Sequence, residues 1–266
     1  MSVPRAKWGS DNMGVGISRK KRARRDLARR ALLRIDGRPV EVTMQLNRRA
    51  RRLIVKVHPS TGEVTVVAPS KSAFSEALEF ARTESEWIAR RLKNVPRPVA
   101  FELGARIPLR GELHVIRRGE PRSRPVWVDR SEDEPVIRVC GGNEHTERRV
   151  FDFLKREARK SFDSHVMHYA QALGVRPARI TVRDTATRWG SCSSGRILSF
   201  SWRLIMAPPY VLEYVVAHEV THLREMNHGP RFWRLLESVD DNVERAQRWL
   251  AENGTALHRY APRGIA

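Results

Sequence analysis

The stretch from residue 208 to residue 228 constrains the fold most, because it combines an apolar helical pattern with two histidines at a four-residue spacing. Pro208 and Pro209 suit the first turn of an α-helix, where a backbone N–H has no intrahelical partner. The apolar residues that follow recur at helical spacing and predict one buried stripe: Val211, Leu212, Val215, Val216, Val220 and Leu223. His218 and His222 lie one turn apart on this predicted helix, so their imidazoles project from the same face.

This His-Glu-x-x-His pattern (HExxH) predicts a zinc site, because two histidines on one helical face can bind one Zn²⁺ ion. Glu219 is expected not to ligate the ion. We expect it to hold the zinc-bound water, accept its proton and pass that proton to a leaving amine. The pattern therefore predicts a zinc-dependent hydrolase that works by Glu-assisted attack of zinc-bound water on a carbonyl, with the peptide bond as the expected substrate.

The chemistry needs a third protein ligand, and His228 is the expected one because it lies in the loop directly after the helix, where Gly229 lets the chain turn. Glu237, one helix later, is the competitor, as in sites with two histidines and one glutamate. Cys192 is a weaker candidate for a fourth ligand, since it has no partner cysteine nearby. Two alternatives stay open: the histidines are only core or surface residues, or the zinc is purely structural.

Along the chain, the patterns predict an α+β protein in which a mostly β N-terminal part precedes a C-terminal zincin-like domain (a long helix, a β-hairpin, the HExxH helix and a C-terminal helix). The expected strands cover residues 40–46, 52–57, 64–68, 106–109, 112–117, 125–128, 136–139, 180–183 and 197–202. The expected helices cover residues 72–92, 143–174, 209–223 and 230–254. No internal repeat is evident.

The domain boundaries follow from composition, with the Pro-containing stretch 95–99 as the main internal boundary. We expect a disordered basic arm (1–30), a β-rich part with a helix (31–95), a region of short strands (96–142), the metal-binding catalytic domain (143–254) and a C-terminal tail (255–266).

The formal charge of +20 is concentrated near the N-terminus, where residues 1–60 carry 17 basic and 4 acidic side chains. The basic run from Arg19 to Arg30 could release counterions from a polyphosphate, although a solvated solubility tail explains it as well. A nucleic-acid-associated protein with a secondary or structural zinc site is therefore the alternative function.

The expected compartment and partners follow from the lack of membrane and secretion signals in the sequence. It has no apolar run long enough to span a membrane and no apolar leader near the N-terminus. Its two cysteines, Cys140 and Cys192, are far apart and suit a reducing compartment. We expect a cytoplasmic enzyme with a peptide or protein substrate, one Zn²⁺ ion and no membrane partner.

Several blocks resemble the YgjP-like metallopeptidase domain family, and the resemblance spans roughly residues 40–252. They are Arg188 to Cys192, Trp202 to Leu204, Ala207 and Pro208, Tyr214 to Glu219, His222 and Leu223, Asn227 to Gly229, and Phe232 and Trp233. The resemblance implies a zincin-type metal-dependent hydrolase with three histidine ligands, His218, His222 and His228, and the base Glu219.

Substrate contacts are expected from the 188–202 hairpin, which should lie beside the zinc helix with one strand at a sheet edge. An exposed edge can bind an extended peptide through main-chain hydrogen bonds. The candidate substrate residues are Arg188, Trp189 and Asn227. The alternative is that Trp189 and Trp202 are core residues and that Arg188 forms a salt bridge in the turn.

Overall fold

The computed structural model describes residues 28–58, 61–95, 98–121, 123–185 and 188–262, and the chain divides into two compact units, Met1–Val95 and Pro96–Ala266. Most of the predicted basic arm lies outside the described residues. Its last three residues belong to a strand that begins at Ala28, so the predicted arm is too long at its C-terminal end. None of the described helices is both long and apolar enough to cross a membrane.

The first unit contains a four-stranded sheet of β1 (Ala28–Ile35), β2 (Arg38–Leu46), β3 (Ile54–Val57) and β4 (Val64–Ala68) in the order β1-β2-β4-β3. The outer pairs are antiparallel and the central pair β2/β4 is parallel. The strand β1 was not predicted from the sequence. Its signal was Asp36-Gly37, a two-residue hairpin turn in which both residues have positive φ, 52° and 74°.

Two helices, α1 (Phe74–Thr83) and α2 (Ser85–Lys93), replace the single helix predicted over residues 72–92. The two helices separate at Glu84, where ψ is near 12°. Its neighbours Thr83 and Ser85 are both weak helix formers. Ala77, Ala81 and Ile88 are fully buried and join the apolar face of the sheet to form the core of this unit.

The second unit begins with a sheet of the same topology. Its strands are β5 (Arg106–Leu109), β6 (Glu112–Arg118), β7 (Val126–Asp129) and β8 (Val136–Val139), in the order β5-β6-β8-β7 with a parallel central pair. The turn between β5 and β6, Arg110-Gly111, also has two positive φ values, 53° and 81°.

The chain therefore contains an internal structural repeat, which was not evident in the sequence. Aligning the two hairpin turns brings buried positions into register: Leu33 with Ile107, Ile35 with Leu109, Val42 with Ile116, Val64 with Ile137 and Val66 with Val139. The two copies share a burial pattern and turn conformation but few residue identities, so sequence similarity alone does not show the repeat.

A long helix and a small sheet follow. A 3-10 turn (Asn143–His145) leads into α3 (Thr146–Ala172), and Gly174, with φ of 62°, lies just beyond the helix end. The strands β9 (Arg179–Arg183), β10 (Gly190–Cys192) and β11 (Ile197–Ser201) form a sheet in the order β10-β11-β9. β10 is antiparallel to β11 and forms one edge of this sheet, as predicted for the hairpin.

The C-terminal part consists of a 3-10 turn (Trp202–Met206) and the helices α4 (Pro209–Thr221), α5 (Pro230–Glu237) and α6 (Val243–Leu257). The backbone N–H groups of Arg110 and Gly111 donate to the carbonyls of Ile205 and Met206, at 2.7 and 3.1 Å, just before α4 begins. α6 continues three residues beyond Gly254, where the last helix was predicted to end. The segments predicted as 96–142 and 143–254 share one hydrophobic core. The predicted α+β class is confirmed.

Candidate metal centre

The candidate centre is built on α4, which lies inside the protein rather than on its surface. Every residue from 214 to 221 is buried, so the helix has no solvent-facing side over its last two turns. The sequence predicted a single buried stripe, whereas neighbouring elements cover the helix all round. His218 and Glu219 are consequently buried side chains, with exposed fractions of 7% and 6%.

Three imidazoles converge at the C-terminal end of α4. His218 lies in its last turn, His222 caps the helix and His228 comes from the following loop. One ring nitrogen from each lies within 4.8 Å of the other two, and the Nε2 atoms of His218 and His228 are 3.0 Å apart. Tetrahedral ligands at 2.0–2.1 Å from one Zn²⁺ ion would be about 3.3 Å apart. The spacing of the three rings therefore fits one such ion.

Surrounding residues hold the histidines in this orientation. The ring Nδ1 of His222 lies 3.1 Å from the carbonyl oxygen of Glu225, and an N–H donated there leaves Nε2 facing the cluster. The indole N–H of Trp233 donates to the carbonyl of His228 at 3.1 Å. The Phe232 ring packs against all three imidazoles, with centroid distances of 4.7 to 4.9 Å. Sequence reasoning did not assign this role to Phe232.

The three imidazoles are kept neutral. Burial lowers the pKa of His218 far below its usual 6.5, and the neighbouring His222 and His228 lower it further. Burial also lowers the pKa of His222, to about 4, and that of His228. Neutral imidazole is the form that binds zinc, so the donor set suits the ion chemically as well as geometrically.

Glu219 lies beside His218 in the same buried region. Burial raises the pKa of its carboxyl to about 8, while the charge of Arg188 and the backbone N–H of Cys192, which donates to the carboxylate, act in the opposite direction. A carboxyl with its pKa near neutrality can both accept and return a proton.

Neither competing ligand joins the described histidine cluster. Glu237 is exposed at the last residue of α5. Cys192 contributes its backbone N–H to Glu219, while its thiol lies 3.6 Å from the carbonyl of Ser193. Burial raises the pKa of that thiol to about 11, which disfavours the thiolate that a metal requires.

The candidate substrate residues lie in different environments. Arg188 is exposed two residues before the edge strand. Asn227 is also exposed, and its backbone carbonyl accepts the backbone N–H of Gly229 at 2.8 Å. The ring of Trp189 lies 5.2 Å from that of His258, next to Gly254 of α6. Trp202 is fully buried. These positions favour the packing interpretation of both tryptophans.

The contact between Gly190 and Glu219 was not predicted from the sequence. The strand β10 passes so close to Glu219 that a Cβ atom at residue 190 would overlap the glutamate side chain. The available signal was a glycine inside a predicted hairpin strand, which often marks the close approach of another group.

The chain matches the YgjP-like, metallopeptidase domain family over residues 51–253. A solved structure, the metallopeptidase zymogen of Pyrococcus abyssi abylysin, is 21% identical with a TM-score of 0.32, and the match covers 38% of this chain and 98% of that one. A search of curated proteins gave no match.

Proposed function

The chain belongs to the YgjP-like metallopeptidase domain family, and on that premise we propose that it is a zinc peptidase. In this proposal His218, His222 and His228 hold one Zn²⁺ ion and Glu219 is the catalytic base. The observation that carries the proposal is the convergence of three neutral imidazoles beside a buried carboxyl whose pKa is close to neutrality.

In the proposed reaction, Glu219 carries out the proton transfers. Held by His218, His222 and His228, Zn²⁺ would act as a Lewis acid and lower the pKa of the attacking water to about 7. Glu219 hydrogen-bonds the attacking water and accepts its proton as the water oxygen attacks the scissile carbonyl. Glu219 then returns this proton to the nitrogen of the leaving amine as the C–N bond breaks.

The edge strand β10 is the proposed binding place for the substrate backbone. Within the described residues β10 pairs with β11 alone, so its other edge, apart from the Cys192 N–H that faces Glu219, is available for an extended peptide. The same strand lies directly beside Glu219. Main-chain pairing to this edge would align a peptide along the candidate centre, and the exposed Arg188 side chain lies two residues before the strand.

The proposal is tested by incubating the zinc-loaded protein with a defined mixture of synthetic peptides and identifying new termini by mass spectrometry. We expect cleavage by the wild type, none by Glu219→Gln at equal zinc content, and normal cleavage by the matched variant Glu237→Gln. Cleavage by Glu219→Gln at the wild-type rate would exclude this base. Failure of the zinc-loaded wild type to cut any peptide would refute the peptidase assignment.

A further inference from the structure

We propose that Gly190 is a positioning residue: the backbone of β10 at residues 190 and 192 holds the Glu219 carboxylate in place, and only glycine at position 190 leaves room for it. This inference rests on the proposed role of Glu219 as the base. The inference adds a requirement for glycine at position 190, a position outside the HExxH motif.

The steric part of the argument is the distance between β10 and α4. A Cβ atom built on Gly190 would lie 2.6 Å from both Cγ and Oε1 of Glu219 and 2.9 Å from Cδ. Real Cβ atoms essentially never approach other heavy atoms this closely. One of the overlapped atoms is Cγ, close to the backbone of a helix that is buried on every side. Any side chain at position 190 must therefore displace the carboxylate or separate the two elements.

The strand cannot easily withdraw from the helix. Gly190 is opposite Phe200 and Cys192 is opposite Leu198 in the β10/β11 register, and both partners on β11 are buried in the core. The backbone N–H of Ser201 also donates to the carbonyl of Trp189 at 2.9 Å, immediately before β10. The position of β10 is thus set by the core, so the glutamate side chain would have to move.

A hydrogen bond complements the steric contact. The backbone N–H of Cys192 donates to the Glu219 carboxylate. Within the three-residue strand, Gly190 limits where the Glu219 side chain can lie, and the Cys192 N–H orients the carboxylate oxygens of Glu219. The histidines are held by other elements, α4 itself and the loop that leads to α5. A change at position 190 should therefore disturb the base and leave the metal ligands intact.

The first test is kinetic and uses fluorescein-labelled casein as the substrate. We expect Gly190→Ala to keep one zinc per chain and a KM close to that of the wild type, while kcat falls about 100-fold, the loss expected for a misplacement of about 1 Å. The matched control is Gly195→Ala in the same hairpin. There an added Cβ would meet only Ser193 Oγ, at 3.8 Å.

The second test does not depend on activity. In a double-mutant cycle, Gly190→Ala should lower the Tm by roughly 2 °C or more when Glu219 is present, and by much less in the Glu219→Ala background, because the truncated side chain removes the overlap. If Gly190→Ala does not fold, recovery of folding in Gly190→Ala/Glu219→Ala supports the same contact.

The outcomes separate this inference from the proposed function. Equal Tm losses in both backgrounds would overturn the inference, and so would an unchanged kcat in Gly190→Ala. If the wild type does not cleave peptides, the proposed function fails, while the double-mutant cycle still shows whether Gly190 makes room for Glu219.

Discussion

Replacing Glu219 by glutamine should stabilise the metal-free protein at neutral pH as well as abolish its hydrolytic activity. Glu219 is buried, and its pKa is raised to about 8, mainly by burial. Glutamine has nearly the same shape, is neutral at every pH, and can still accept the backbone N–H of Cys192 through its side-chain oxygen. The substitution therefore removes the cost of burying a charge or taking up a proton.

The magnitude follows from the difference in pKa between the folded and unfolded chains. A carboxyl whose pKa is raised from 4.5 to about 8 on folding contributes its full stability below pH 4.5, and that contribution is lost as the pH rises to about 8. At pH 7 the solution is about 2.5 pH units above the unfolded value, and each unit corresponds to about 1.4 kcal/mol. Glu219 therefore costs the metal-free protein about 3 kcal/mol at pH 7 and less than about 1 kcal/mol at pH 5.

The assay is urea unfolding in the presence of a chelator, followed by tryptophan fluorescence at pH 5, 6, 7 and 8. The free energy of unfolding of Glu219→Gln minus that of the wild type should be small at pH 5 and grow with pH. Adding Zn²⁺ should shrink the difference, because a nearby cation favours the charged carboxylate. The control is Glu237→Gln: this side chain is exposed, so its neutralisation should change stability little at any pH.

A stability difference that does not change with pH would refute the reasoning, because the linkage requires the wild type to take up a proton on folding. A Glu219→Gln variant less stable than the wild type at pH 8 would show that a charged Glu219 is well accommodated in the folded protein, and that burial does not dominate its environment.

Three further outcomes follow from the structure. Replacing His218, His222 or His228 singly by alanine should reduce bound zinc well below one ion per chain in elemental analysis, whereas Cys192→Ser should retain it; full zinc content in all three alanine variants would contradict the ligand set. Deleting residues 1–27, which stops just short of β1, should leave zinc content and peptide turnover unchanged, while any affinity for nucleic acid at low salt should weaken and its salt dependence become shallower. A fragment of residues 28–95 should unfold cooperatively in urea by circular dichroism, because it has its own core; a gradual change would show that it depends on the second unit.

Sequence reasoning was sufficient for features that depend on local backbone geometry. The four-residue spacing of His218 and His222 places both rings on one face wherever a helix forms, and His228 follows in the first loop that can return toward them. The α+β class and most strands followed from periodicity in the same way. β1 could have been found locally too, since Asp36-Gly37 is a strong hairpin signal.

Tertiary structure decided the properties that come from residues distant in sequence. Periodicity predicted one buried stripe on α4, but packing covers the whole helix, and this burial raises the pKa of Glu219 to about 8. The close contact between Gly190 and Glu219 exists because β11 holds β10 against α4, a constraint that neither segment encodes alone. The repeat of the four-stranded sheet could not be recognised from the sequence for a related reason. A shared topology requires the same positions to be buried, but many different apolar residues can fill them.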